Sequence, residues 1–198
     1  KEDYGKLSGR NLEELVAGAR VEPGIGKKHP ADFTLWKAAK PGEPSWDSPW
    51  GGGRPGWHIE CSAMSMKYLG ETFDIHTGGV DNVFPHHERE IAQSNGAFDK
   101  QVVKYWVHGQ HLLVDGVKMA KSSGNVFTLD DLSQHGFDHL AFRYHALTVH
   151  YRKRINFTMS ALKASEKALT RLRDNVWRWS NSNGNSKVTK DIFERYRG

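Results

Sequence analysis

The chain has 198 residues, of which 37% are hydrophobic and seven are tryptophan, so it can bury a core and is not expected to be disordered. Its formal net charge of +5 is a modest basic excess that favours an anionic partner such as a nucleic acid or a nucleotide phosphate. The single cysteine, Cys61, excludes an internal disulfide and fits a reducing compartment. No apolar run approaches the roughly 20 residues that a membrane helix needs. We therefore expect a cytoplasmic protein that does not enter a membrane.

The N-terminal part alternates between loops and short regular elements. Apolar residues at helical spacing predict an amphipathic helix over residues 11–17, and alternation predicts a strand over 33–36. Four prolines and several glycines between Lys40 and Pro55 predict a long ordered loop. Residues 57–69 contain no glycine or proline and are expected to form a helix.

A strand, a helix and a second strand follow. Residues 73–76 form the first predicted strand and lead into two glycines. Pro85 suits the first turn of a helix that continues to Ser94, and residues 102–107 form the next predicted strand. This alternation, with glycines after a strand end, indicates an α/β fold with a partial Rossmann-like parallel sheet and a ligand at the carboxyl ends of its strands.

The second half begins with a predicted hairpin over residues 111–117, because an Asp-Gly pair lies between two apolar runs. The small residues after it predict a mobile loop. Thr128 is expected to begin a helix with an acidic first turn. Residues 137–147 predict another helix, and the apolar face of residues 158–179 predicts a long helix that belongs to a bundle.

Two lysines, Lys118 and Lys121, lie three positions apart just after the hairpin. Two ammonium groups on such a loop can approach a polyphosphate and neutralise charge as it develops on the leaving group. An isolated K-x-x-K is more often a solvated basic loop, so the context has to decide between the two interpretations.

Three residues offer the ligand types that zinc accepts, namely thiolate, imidazole and carboxylate. His86 and Glu90 are four apart on a predicted helix and share a face, whereas His87 and Glu88 are expected to point away. Together with Cys61 they give three protein ligands, which is the arrangement of a catalytic zinc with an open position. The alternative is a surface His/Glu pair and a small buried cysteine.

Two further groups suit a nucleotide or a small substrate. Gly79 follows a strand and would let a base or ribose approach the backbone, and Asp81 could accept hydrogen bonds from ribose hydroxyls. Trp57 and His58 could build a pocket wall. A plain tight turn and ordinary core aromatics are the alternatives.

Taken in order, several segments closely resemble the cysteinyl-tRNA synthetases over about residues 4–175. These segments are DFTLWK at 32–37, GEPSW at 42–46, SPWG at 48–51, GRPGWHIECSAM at 53–64, FPHHE at 84–88 and KMAKS at 118–122. Because unrelated motifs recur in the same order, the resemblance is specific. It implies the catalytic core of a class I synthetase, which activates cysteine with ATP and transfers it to tRNA(Cys).

The resemblance also implies cofactors and residue roles. A Zn²⁺ ion would bind the substrate thiol, and Mg²⁺ would accompany ATP. The positions that match the family are Cys61, His86 and Glu90 for the metal, Trp57 and His76 for the amino-acid pocket, Gly79 and Asp81 for the adenylate, and Lys118 and Lys121 for the KMSKS signature. In that signature, the resemblance implies that the second lysine contacts ATP and stabilises the pyrophosphate transition state.

The chain departs from the family pattern in three ways. Ala120 replaces the serine of KMSKS, and both the HIGH-type motif and the early cysteine that is the fourth zinc ligand are missing. We therefore expect a fragment that is not a competent synthetase alone. Its expected parts are the second half of the nucleotide-binding domain with a connective insertion (1–110), the KMSKS loop with the stem-contact segment (111–155), and the start of the anticodon-side helical domain (156–198). An exposed sheet edge makes self-association possible.

Two alternatives remain open from sequence. A cysteine ligase of mycothiol biosynthesis resembles these synthetases and uses the same adenylate, although the long cationic helix after Thr158 and the glutamate at position 90 favour the tRNA enzyme. A non-catalytic module that binds tRNA or zinc is the other alternative, and its tRNA affinity would fall steeply as salt rises.

Overall fold

A computed structural model of the chain describes residues 3–11, 27–29 and 31–181. The chain forms two compact units that divide between Gly109 and Gln110. The helix predicted over residues 11–17 lies, apart from its first residue, outside the described part. None of the described helices is long and apolar enough to cross a membrane.

In the described part of the first unit, the chain forms two small sheets and two α-helices. In chain order, its elements are β1 (Trp36–Ala38), β2 (Gly53–Pro55), α1 (Trp57–Leu69), β3 (Phe73–Gly79), α2 (Glu88–Phe98) and β4 (Val103–Gly109). Strands β1 and β2 are antiparallel, with Lys37 opposite Arg54. Strands β3 and β4 are parallel, with His76 opposite Trp106, and among the described residues they pair only with each other. The predicted strand–helix–strand unit with a parallel pair is therefore confirmed.

The predicted strand over residues 33–36 is placed too early, because β1 begins where that prediction ends. The loop predicted between Lys40 and Pro55 also contains a strand, β2, at its end. Both differences have one cause. These strands exist because they pair with each other, and pairing partners that are distant in the chain are not visible in local alternation. Helix α1 has the bounds predicted from sequence.

The helix predicted from Pro85 starts irregularly. Residues Val83–His87 form a π-helical turn in which Phe84 is extended, with φ −139° and ψ 132°, and the regular helix α2 begins at Glu88. The residue before a proline is sterically pushed out of the α region, which explains why the helix is interrupted at Phe84. Within this turn only Phe84 lies outside the helical region, and His86 and Glu90, four positions apart, meet at 2.8 Å as the predicted helix requires.

Between residues 110 and 181, the second unit has a three-stranded sheet and three α-helices. Its elements are β5 (Leu112–Val114), β6 (Val117–Lys118), α3 (Leu129–Gln134), α4 (His139–Leu147), β7 (Ile155–Phe157) and α5 (Met159–Asn181). Asp115 and Gly116 both have positive φ, at 47° and 83°, which is the backbone that a tight Asp-Gly hairpin turn requires. The predicted hairpin is thus confirmed, whereas β7, which pairs in parallel with β5, has no prediction in the sequence analysis.

Helix α3 begins after Thr128 with an acidic first turn, as the sequence predicts, and the structure adds a capping box at this start. The Thr128 hydroxyl accepts a hydrogen bond from the Asp131 amide, and the Asp131 side chain accepts one from the Thr128 amide. The core of the unit lies between the sheet and the helices and is apolar. Its buried members are Val114, Leu132, Ala141, Phe157 and Leu162.

Replacing Leu162 by alanine should lower the free energy of unfolding by about 2–5 kcal/mol, because the side chain is fully buried and its loss leaves a cavity. The matched control is Leu172→Ala on the same helix, where the side chain is 45% exposed and the cost should stay below about 0.5 kcal/mol. Urea unfolding followed by circular dichroism measures both. Equal losses would contradict this location of the core.

Candidate active site

The three residues predicted to bind a metal lie together in the first unit. Cys61 comes from α1, His86 from the π-helical turn and Glu90 from α2. Their ligand atoms all lie within 4.8 Å of one another. His86 and Glu90 are 4% and 3% exposed, and Cys61 is half-buried. The fold therefore brings the three predicted ligands together.

The carboxylate of Glu90 is only half satisfied by the protein. Its Oε2 lies 2.8 Å from His76 Nε2 and accepts a hydrogen bond from that ring. Its Oε1 lies 2.8 Å from His86 Nε2 but lacks the angle of a hydrogen bond, and it has no other partner among the described residues. A buried carboxylate oxygen without a partner is costly, and a cation between the three donors would satisfy it. The residues present therefore fit a zinc ion.

Burial and neighbouring charges shift the pKa values of two residues of the cluster, Cys61 and His86. Burial raises the pKa of the Cys61 thiol, and the neighbouring carboxylates Glu90 and Glu60 raise it further. A bound cation would act in the opposite direction, because it stabilises the thiolate. Burial lowers the pKa of His86, against an opposing effect of Glu90. His86 is therefore held in the neutral form that binds metals.

The two residues predicted for an amino-acid pocket border this cluster. The Trp57 ring stacks on the His86 ring, with centroids 4.0 Å apart and planes at 24°, and the indole is more than half exposed. His76 reaches Glu90 through the hydrogen bond described above and packs against Trp106 at 4.7 Å. An exposed indole beside the donors gives the cluster an apolar wall on an accessible side.

The expectation that His87 points away from the His86/Glu90 pair is wrong, whereas the carboxylate of Glu88 binds the early segment instead of that pair, as expected. His87 is 1% exposed, and its ligand atom lies within 4.8 Å of those of His76 and Glu90. Glu88 is also 1% exposed and accepts hydrogen bonds from the amides of Gly5 and Ser8, at 3.0 and 2.9 Å. The physical reason for the position of His87 is that strands β3 and β4 also enclose the start of α2, where His76 and His108 contact the His87 ring.

A set of buried and half-buried histidines surrounds the predicted ligands, and sequence reasoning missed most of it. His58 Nδ1 lies 2.7 Å from His86 Nδ1, and His87 Nδ1 lies 2.8 Å from His108 Nε2. Burial is the main reason that the pKa of His58 falls to about 4 and that of His87 to about 3. The sequence signal was the number of histidines near strand ends and helix starts, which alone does not say which of them converge.

The predicted adenylate turn follows β3 directly. Gly79 is the last residue of the strand, and Asp81 lies in the 3-10 turn Val80–Asn82. A Cβ added at Gly79 would meet no described atom within 4 Å, so the space beside this backbone is open to a ligand. A Cβ at Gly78 would lie 2.6 Å from the His87 ring. Gly78 is therefore required for packing, whereas Gly79 leaves room.

The two lysines belong to the second unit. Lys118 ends β6 and Lys121 begins the 3-10 turn Lys121–Ser123, and both are exposed. Asn125 closes this segment: its Oδ1 accepts from the Ala120 amide at 3.0 Å, and its Nδ2 donates to the Lys118 carbonyl at 3.2 Å. The side chain of Asn125 thus holds the backbone that carries both ammonium groups.

A family model of the catalytic domain of class I (C) tRNA synthetases matches residues 1–167. The chain belongs to this family. Two relatives of this class I synthetase chain, each named cysteine–tRNA ligase, confirm the resemblance seen in its motifs. The protein from Chromobacterium violaceum is 60% identical over 171 residues, which are 86% of this chain and 37% of the relative. The protein from Symbiobacterium thermophilum is 55% identical over 176 residues, which are 88% of this chain and 37% of the relative.

The class I synthetase chain therefore spans little more than a third of the length of these relatives. Among solved structures, a LeuRS–tRNA–LeuAMS ternary complex from Agrobacterium radiobacter matches with a TM-score of 0.50 and 18% identity. The match covers 66% of this chain and 21% of that chain. It supports the fold and, with the family match, confirms the predicted α/β fold of a class I synthetase core.

The stability of the metal-free chain should fall as the pH drops from about 6.5 towards 3. His87 has a folded pKa of about 3 against an ordinary value of 6.5, so within this window the unfolded state binds the extra proton and is favoured. One such histidine contributes a slope of up to about 1.4 kcal/mol per pH unit. Above pH 6.5 its contribution is fully present.

The measurement is urea unfolding over this pH range in a chelator, for the wild type and for His87→Gln. The variant should have the shallower slope. The same substitution at exposed His150 controls for the loss of a histidine. Parallel pH profiles of the wild type and His87→Gln would contradict the buried neutral state of this ring.

Proposed function

We propose that this chain is part of a cysteine–tRNA ligase, in which it supplies the zinc site, part of the cysteine and adenylate pocket, and the lysines that meet ATP. The complete protein would activate cysteine with ATP and transfer it to tRNA(Cys) in the cytoplasm. The observation that carries the proposal is the convergence of Cys61, His86 and Glu90 around an unsatisfied carboxylate oxygen. The relatives named cysteine–tRNA ligase support it.

The metal cluster would recognise the substrate by its sulfur. A bound Zn²⁺ would favour the ionised thiol of cysteine over the hydroxyl of serine, because a thiolate is much the better zinc ligand. The protein's part is to hold three ligands in place and leave a position for the substrate. His76 contributes by fixing one oxygen of Glu90, which aims the other oxygen at the cluster.

The remaining pocket residues would orient the rest of the substrate and the nucleotide. Trp57 offers an apolar face next to the ligands, and Gly79 lets the adenylate approach the backbone without a steric clash. Asp81, in the turn after β3, would accept hydrogen bonds from the ribose hydroxyls. The nucleotide assignments use the carboxyl end of β3, because α/β folds bind nucleotides at the carboxyl ends of their strands.

The lysines would act on the phosphates of ATP and its Mg²⁺. Lys121 would contact the triphosphate and stabilise the charge that develops as pyrophosphate leaves, and Lys118 would assist. Asn125 keeps the backbone of this segment in one turn, so the two ammonium groups stay on the same short loop. Ala120 provides an amide to that turn and needs no hydroxyl for it, which fits a small effect of its departure from the KMSKS pattern.

Zinc content is the direct test of the metal site. Purified chain loaded with Zn²⁺ and dialysed should retain about one ion per chain, and Cys61→Ser or Glu90→Gln should retain much less, because each removes a ligand. Glu60→Gln is the matched control, since Glu60 is an exposed carboxylate one residue from Cys61. Elemental analysis reports the content. Equal zinc in Cys61→Ser and the wild type would refute the assignment.

The isolated chain should not catalyse cysteine-dependent ATP–pyrophosphate exchange. It spans 37% of the length of the relatives it matches, and no HIGH-type motif occurs in its sequence, so part of the phosphate site is missing. The positive control is a full-length cysteine–tRNA ligase assayed under the same conditions. Robust exchange by the isolated chain would contradict the proposal that it is an incomplete part of the enzyme.

A further inference from the structure

We propose that the turn over residues 150–154, which we name the basic turn, binds the unpaired 3′ end of tRNA. It lies between α4 and β7, and each of its residues is exposed. Its members are two aromatic residues and three successive cations, namely His150, Tyr151, Arg152, Lys153 and Arg154. The choice of tRNA rests on the function proposed above, but RNA binding by the basic turn does not depend on the metal site.

Hydrogen bonds hold the basic turn in one conformation. The Lys153 amide donates to the His150 carbonyl at 2.8 Å, and the Arg152 amide donates to His150 Nδ1 at 3.2 Å. The Tyr151 carbonyl accepts from the Gln110 amide at 2.8 Å, which attaches the turn to the chain just before β5. A surface that is already ordered loses less conformational entropy when it binds a ligand.

The positive charge of the basic turn is not neutralised within the described part of the chain. No carboxylate among the described residues forms an ion pair with Arg152, Lys153 or Arg154. The exposed lysines Lys100 and Lys104, by contrast, pair with carboxylates at 2.8 and 2.7 Å. Three such cations on one ordered turn attract a polyanion, and the phosphates of RNA are one.

Aromatic planes in the same turn favour unpaired RNA over other polyanions. The rings of His150 and Tyr151 stack with centroids 4.6 Å apart and planes at 24°. The Arg152 guanidinium lies over the Tyr151 ring, 5.6 Å from its centroid. Unpaired bases stack on exposed rings and guanidinium planes, whereas the bases of a duplex already stack on each other. The basic turn therefore suits a single-stranded segment.

The sheet of the second unit brings the basic turn to the same end as the two lysines. Leu113 on the central strand β5 lies opposite Lys118 of β6 and Asn156 of β7. Since β6 is antiparallel to β5 and β7 is parallel to it, the end of β6 and the start of β7 lie at one end of the sheet. The chain leaves β6 towards Lys121 there, and it enters β7 from Arg154. Neighbouring strands are about 4.8 Å apart, so roughly 10 Å separates β6 from β7.

This position selects the 3′ end among the unpaired parts of a tRNA. In the proposed reaction the ATP phosphates meet Lys121, and cysteine is transferred to the 3′ end, so that end has to come close to the lysines. Its phosphates pair with the three cations of the basic turn, and one of its bases stacks on the rings of His150 and Tyr151.

Binding of a fluorescently labelled tRNA(Cys) transcript over a salt series tests the three charges. The variant Arg152→Gln/Lys153→Gln/Arg154→Gln should bind roughly 10- to 100-fold more weakly than the wild type at about 0.1 M salt. The slope of log affinity against log salt concentration should shrink by about 2–3, because each lost phosphate contact removes about 0.7–0.9. Fluorescence anisotropy measures both, and circular dichroism checks the fold. An unchanged slope would refute the inference.

A matched control removes the same charge from the first unit. Lys67, Lys100 and Lys104 are exposed there, and the last two are paired with carboxylates. Changing all three to glutamine should keep the wild-type salt slope, with an affinity within a few-fold of the wild type. A loss equal to that of the basic-turn variant would indicate a general charge effect and contradict a defined site.

Two transcripts test the aromatic contact. Tyr151→Ala should bind the complete transcript roughly 5-fold or more weakly, with an unchanged salt slope, because one base loses its stacking partner. Without the unpaired 3′ end on the transcript, the variant should bind as the wild type does, because the stacked base is absent. Tyr68→Ala, at a tyrosine that is 78% exposed, is the control. An equal effect of Tyr151→Ala on both transcripts, or no effect on either, would overturn the assignment.

Two further measurements separate this inference from its alternatives. Excess ATP at constant ionic strength should displace no tRNA, and displacement would assign the basic turn to a nucleotide phosphate instead. If the wild type retains zinc but binds no tRNA in low salt, the inference fails and the metal site stands. If it binds tRNA as described but retains no zinc, the metal assignment fails and the basic turn stands.

Discussion

The buried carboxylate of Glu90 is the constraint on which the first unit depends. An ionised carboxylate in a protein interior is tolerated only when it is paired or binds a cation. One oxygen of Glu90 bonds to His76, and the other faces His86 and Cys61 without a hydrogen bond. The histidines around it are arranged as a polar interior that orients these groups. The polar interior of the first unit and the proposed metal binding therefore both depend on the Glu90 carboxylate.

The two units bury their side chains in different ways. The second unit has an apolar core in which Phe157 and Leu162 are almost completely enclosed. In the first unit many of the buried side chains are polar, including the neighbours His87 and Glu88. Such an interior gains less from the hydrophobic effect and relies more on its hydrogen bonds. This is the pattern expected where side chains are selected for a site instead of for stability.

The start of α2 lies inside this polar interior. Pro85 forces Phe84 out of the helical region, and the chain passes through a π-helical turn before α2. Three successive residues, His86, His87 and Glu88, are buried, and they span roughly 200° of the helix, which is more than the single inward face of about 100° on a surface helix. Glu88 follows and uses its carboxylate to hold the amides of Gly5 and Ser8, so the early segment is attached to the start of the same helix.

The sequence alone determined the features that depend on near neighbours. These include helix α1, the Asp-Gly hairpin, the Thr128 helix start, and the pairing of His86 with Glu90 four positions later, because turn chemistry and helical spacing act over a few residues. Only the tertiary structure decided the contacts between distant segments. Strand β1 forms where it pairs with β2, and His58 meets His86 from 28 positions away. Side-chain orientation across such distances is set by the packing of whole elements, which no local pattern encodes.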